Sequence, residues 1–122
     1  MNKNTFNRSK SIISSVANAT VTRDNSGSTL DNNGATGVVV VTVADAQFGD
    51  FYDIDVVAAQ SFKISAGANG VFVLAGTSGT VGNKLINNGT AGDTCQIVCV
   101  GAGPTFRVRG PGATAGDWST GV

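Results

Sequence analysis

The chain has 122 residues, of which 13% are charged, with 17 glycines, two cysteines and a net charge of zero. That length holds one domain of ordinary size, and no run approaches the ~18 apolar residues of a membrane span. His and Glu are both absent. This removes the commonest general base, the commonest metal ligand and the usual acid of paired-carboxylate hydrolases, and with them most enzyme mechanisms.

Taken from the start, the chain is polarised. Lys3, Arg8, Lys10 and Arg23 all precede the first acid, Asp24, which leaves four basic and eight acidic residues afterwards, +4 against −4. A basic, Asn/Ser-rich start reads as a flexible arm that seeks an acidic surface or nucleic acid, although four charges over 23 residues are sparse for a nucleic-acid arm, with a solvated tail as the alternative. Ala17-Asn18-Ala19 imitates a signal cleavage site. However, Ser14 and Ser15 break the apolar stretch before it, short of the ~7 to 15 residues a signal core needs. A helical turn is expected over 11–16, with Ile12, Ile13 and Val16 as its apolar stripe. DNSGSTLDNNG, residues 24–34, reads as a mobile loop, because only Leu30 has a side chain worth burying. Residues 1–35 are thus assigned to an arm and loop, and 36–122 to a β-rich body with no regular internal repeat.

From residue 19 onward, short β-branched and aromatic runs alternate with Gly, Asn, Ser and Asp clusters, the pattern of strands and turns. Strands are expected at 19–23, 36–43, 51–57, 61–65, 70–75, 84–86, 94–101 and 105–110. The four valines Val38, Val39, Val40 and Val41 leave no polar face, so this strand should be covered on both sides, centrally or at a subunit contact. In FYDIDVV, Tyr52, Ile54 and Val56 share one face, and Phe51, Asp53, Asp55 and Val57 the other. Phe62 and Ile64 likewise oppose Lys63, and Phe106 and Val108 oppose Arg107 and Arg109. One apolar and one sparsely charged face per strand means an antiparallel sandwich or small barrel with a wet side.

Asp45, Asp50, Asp53 and Asp55 are the candidate cation ligands, but a solvated face with Asp53 or Asp55 paired to Arg107 or Arg109 is the preferred reading. Cys95 and Cys99 lie four apart on one strand, ~13 Å from each other, too far for a disulfide. Without His they lack partners for zinc, so they are read as small buried hydrophobes beside Ile97. No catalytic residue, metal site or cofactor is assigned. Trp118, five residues from the end, is read as a latch for the tail, with a sugar-stacking platform as the alternative.

The order NNGTAGD, TCQIVCVG, GAGP, TFRVRG and a Gly-rich link to GDW resembles the C-terminal β-rich modules of tailed-bacteriophage virion proteins. These include trimeric capsid decoration (cement) proteins, head fibres and tail-fibre tips, and the resemblance covers about 36–122. It implies an all-β fold, a small sandwich or barrel of jelly-roll or tulip type with an extended N-terminal arm. It also implies a homotrimer on the capsid exterior, assembled in the host cytoplasm, with the major capsid protein as partner and neither nucleic acid nor membrane. On that basis Lys3, Arg8, Lys10 and Arg23 would grip the shell, and Val38–Val41 with Arg107 and Arg109 would meet other subunits. The alternatives are a fibre module that recognises host glycans, favoured less because no repetitive shaft precedes the body, and a secreted adhesin-like domain released by cleavage after Ala19. The two cysteines depart from the pattern, since such modules more often carry aliphatics or Thr there.

Overall fold

The computed structural model describes residues 11–110 and 117–122. Its strands are β1 (Ile12–Ser14), β2 (Ala19–Val21), β3 (Thr29–Asp31), β4 (Val39–Val43), β5 (Phe51–Asp55), β6 (Phe62–Ser65), β7 (Val71–Leu74), β8 (Thr77–Ser78), β9 (Lys84–Asn87), β10 (Thr94–Gly101), β11 (Thr105–Arg109) and β12 (Ser119–Gly121). They form two sheets around one core, in the orders β1-β3-β5-β10-β11-β7-β8 and β12-β9-β6-β4-β2. The all-β sandwich read from the sequence is therefore the fold.

The sheets are mixed, which corrects the expectation of antiparallel pairing throughout. β1, β3 and β5 are parallel neighbours in one sheet, β2, β4 and β6 in the other, and β11 runs parallel to β7. The first six strands visit the two sheets alternately, so each strand of one sheet serves as the crossover that parallel pairing in the other requires. The result is a short two-sheeted coil. Ile13, Leu30 and Ile54 stack in one ladder, and Ala19, Val41 and Ile64 in the other. Successive coils are 17 (13 to 30) and 24 (30 to 54) residues long along the first ladder, an irregularity that hides the repeat from a periodic search. The second half of the chain closes the fold with antiparallel pairs, chiefly the β10–β11 hairpin.

The body begins by residue 11, not 36, and 24–34 is not a loose loop. Residues 12–14 are strand rather than helical turn. Ser28, Leu30, Asp31 and Asn32 are all buried, because Leu30 enters the core and the Asn32 side chain is built into the next coil's turn. Asn32 Nδ2 donates to the carbonyls of Ala58 and Gln60, and its Oδ1 accepts from the amides of Val57 and Ala58, at 2.9 to 3.3 Å. Asn87 plays a matching part in the adjoining turn, where a Cβ on Gly89 would meet the backbone of Gln60 at 2.9 Å. Its Nδ2 donates to Asp93 Oδ2 and the Asp117 carbonyl, and its Oδ1 accepts from the amides of Gly89 and Thr90. Both asparagines are fully buried and each opens an Asn-Asn-Gly triplet whose glycine has positive φ, 85° at Gly34 and 104° at Gly89.

The alternation expected along each strand holds. Tyr52, Ile54 and Val56 are buried while Phe51, Asp53 and Asp55 are half-exposed; Phe62, Ile64, Phe106 and Val108 are buried, while Arg107 and Arg109 face out. The rings of Phe72 and Phe106, in-register neighbours on β7 and β11, stack at 5.7 Å. Trp118, at 1% exposure, belongs to the same core, which makes it the latch expected of it.

Candidate interaction surfaces

The cysteines form part of a wall. Cys95 and Cys99 are buried and unbonded, in line with Ile97 on the inner face of β10. Cys99 Sγ donates to the Gly101 carbonyl at 3.4 Å. Burial, and then the nearby Asp53 carboxylate, push the Cys95 thiol well above its ordinary range. A thiolate is the reactive form, which disfavours reaction at Cys95, and burial shields both side chains, so both thiols should be silent to a thiol-specific chromogenic reagent in the native protein and be counted as two per chain only after denaturation. Rapid labelling of the folded chain would contradict this placement.

Of the four candidate cation ligands only Asp53 and Asp55 share a surface, the outer face of β5. Asp50 Oδ2 accepts from Arg23 Nε at 3.0 Å and from the Gln47 amide at 2.9 Å. Asp45 sits apart at a left-handed backbone position, φ 58°. Asp53 Oδ1 accepts from Gln96 Nε2 at 3.1 Å. Asp55 is instead the in-register neighbour of Asp31, a residue the sequence reading left in a loop. No group of three acidic or sulfur ligands converges among the described residues. The Arg23–Asp50 bond also removes Arg23 from the arm: it lies in a single 3-10 turn, Arg23–Asn25, anchored to the body. Beneath it, Tyr52 Oη donates to the Thr22 carbonyl at 2.8 Å, and burial with the Asp50 charge pushes its phenol up to about 12. Lys3, Arg8 and Lys10 lie outside the described residues.

Two outer faces result. On the seven-stranded sheet, Thr29, Asp53, Gln96 and Arg109 form one cross-strand row, and Asp31, Asp55 and Thr94 the next. Between them runs a shallow groove of about 410 Å³. Asp55 is raised above the usual carboxylate range, first by desolvation and then by Asp31. The folded state therefore holds this proton more tightly than the unfolded chain, so the penalty is present above the folded value and disappears as the pH falls below the unfolded one. Asp55→Asn should accordingly raise the urea midpoint at pH ~7 and leave it unchanged near pH ~3; a lower midpoint at neutral pH would show that the charge is needed.

The five-stranded sheet presents a slimmer face. Thr42 and Ser65 are in-register neighbours there, as are Val40, Lys63 and Ile86, and all are partly exposed. The valine run splits between the faces. Val39 and Val41 are core, at 0% and 1% exposure, so neither is available to a partner, whereas Val40 is half-buried on the outer face and Val38 is 57% exposed. Plain strand alternation decides this. A run of four valines satisfies an inward face with two of them, and the other two are left for whatever lies outside.

No protein-family model matches the chain, and no curated protein matches it.

The third surface was not legible in the sequence. Among the described residues β1 ends the seven-stranded sheet and β2 ends the five-stranded sheet, and the four residues 15–18 that join them keep both ends on the same side of the sandwich. Here Ile12 and Val16 are 68% and 64% exposed. The far side is sealed by comparison. β12 pairs with β9 and lies against β7, and a Cβ added to Gly79, after β8, would stand 3.1 Å from Thr120 Oγ1. Trp118 is buried beside this seam.

Proposed function

We propose that the chain is a non-catalytic virion structural protein, a homotrimeric decoration protein that binds and stabilises the capsid shell of a tailed bacteriophage. The observation that carries this reading is the open side of the sandwich, where among the described residues both sheets stop at short, uncharged strands with exposed apolar side chains. A body of this shape gains by meeting copies of itself or a shell lattice. The resemblance of residues 36–122 to phage decoration and fibre modules supplies the kind of lattice. The major capsid protein is the proposed partner, and the particle exterior the proposed location. Lys3, Arg8 and Lys10 are the proposed shell contacts, with Arg107 and Arg109 as exposed cations on the body. Many weakly held copies acting together would stabilise the shell.

Quantitative mass spectrometry of purified particles tests this. The chain should be present at a fixed ratio to the major capsid protein, in a number set by the lattice. A few copies per particle, with binding to host surface polysaccharide by calorimetry, would replace this reading with the fibre alternative. Absence from particles would remove both.

A further inference from the structure

We propose that β1 of one copy hydrogen-bonds to β2 of a second copy, so that the open edges of the two sheets close on each other between subunits. The proposal rests on the self-association argued above and specifies its contact.

An exposed sheet edge is a template for pairing, and proteins that remain single guard it with charge, proline, a bulge or a covering segment. Residues 11–22, SIISSVANATVT, contain no charged residue and no proline. β1 pairs with β3, and β2 with β4, in unbroken register across all three positions, so no bulge turns either strand away. Among the described residues nothing lies beyond either strand. Around these edges the apolar side chains of Ile12, Val16 and Val38 are mostly exposed, and Val16 Cγ1 sits only 3.3 Å from the Cβ position of Gly34, against the turn that leads to β4.

A second copy is the occupant because of how the two edges match. They are equally long, three residues each. They lie on different sheets at one side of the molecule, so the seven-stranded sheet of one copy can run on into the five-stranded sheet of the next, outer face to outer face. Each copy then uses one edge of each kind, and neither β1 nor β2 is left unpaired when the ring closes. Because the whole strip is uncharged, symmetry brings no like charges together. A foreign partner would have to supply both matching edges from its own fold.

The test uses the full chain. Ile12 and Thr20 both point outward on different sheets, so a disulfide between them in an I12C/T20C variant forms only between copies; the native cysteines are buried and stay silent. The expected result is covalent oligomers on mild oxidation, of the same order as the mass of the unmodified protein in sedimentation equilibrium. In parallel, an Ile12→Lys, Val16→Lys variant, altered only at exposed positions, should sediment as a folded monomer where the parent is assembled. If the parent is an oligomer but the cysteine variant stays monomeric on oxidation, or the lysine variant keeps the parent mass, the β1–β2 contact is wrong while self-association stands. A parent that is a monomer at every concentration removes both.

Discussion

Asn32→Ala lowers the unfolding free energy by about 2–4 kcal/mol, among the largest losses expected of a single polar substitution in the described residues. Asn32 is fully buried and its amide makes four hydrogen bonds, all to backbone groups of residues 57–60. Alanine removes every one of them. The amides of Val57 and Ala58, which point at the fully buried Asn32 side chain, then lose their acceptor, and a donor stranded out of reach of water costs roughly 1–3 kcal/mol. The cavity adds to this, and relaxation of the turn subtracts from it. Asn32→Asp is no remedy: it keeps the two acceptor contacts, loses both donor contacts and buries a charge. The neighbouring Asn33, an exposed residue of the same triplet, is the internal control, and Asn33→Ala should stay within about 0.5 kcal/mol of the parent. Urea unfolding of the three variants measures this. A loss at Asn32 no greater than at Asn33 would mean that the turn between the coils does not depend on its side chain.

Trp118→Ala should cost about 3–5 kcal/mol, the range for emptying a buried aromatic site. Trp118→Phe should cost much less. The indole is 1% exposed, and its Nε1 has no hydrogen-bond partner among the described residues. A benzyl ring therefore keeps most of the apolar contact and also removes a buried donor that earns nothing where it is. The Phe variant thus separates packing from hydrogen bonding. If it were as damaging as alanine, the indole N–H would have to matter to the seam between β12 and β7. Unfolding midpoints of the two variants under one denaturant decide the point.

These two residues also mark how far the sequence could be read. Trp118 stood out as the only tryptophan, and a lone aromatic near a terminus is a readable latch. Asn32 did not stand out, because Asn-Asn-Gly is also what an exposed turn looks like. Its repetition at Asn87 was the available signal, and only burial of the first asparagine in each triplet distinguishes the two cases. Strand faces were legible wherever alternation ran for four residues or more, as in FYDID and TFRVR, since the two-residue period fixes inward and outward positions whatever the topology. Strand direction was not legible. Alternation is the same in parallel and antiparallel sheets, and the crossovers here are strands of the opposite sheet instead of helices, which are the usual sign of parallel pairing.

The four strands that were missed, β1, β3, β8 and β12, are two or three residues long and rich in Ser, Thr and Gly. They are held by neighbours in register, not by their own propensity. This is also why the open side went unseen: it is made of β1 and β2, and β1 lay in the stretch set aside as an arm. Once β1 is part of the sheet, cleavage after Ala19 would delete β1 and the β1–β2 connection together, which weighs against cleavage there. The acidic constellation failed for a related reason. Four aspartates within eleven positions, 45 to 55, are close in sequence, yet turn geometry takes Asp45 and Asp50 elsewhere and leaves only Asp53 and Asp55 on one face. The carboxylate that does approach Asp55, Asp31, comes from the preceding coil.

The most direct test of the functional reading is add-back. Purified full-length chain is titrated onto capsid shells that lack it, and the bound copies are counted while the shell is heated to the temperature at which it opens. The account predicts saturable binding at a lattice-determined number of copies, a higher opening temperature at saturation, and loss of both when Lys3, Arg8 and Lys10 are replaced by serine. Shells that neither bind the chain nor gain stability from it would contradict the account.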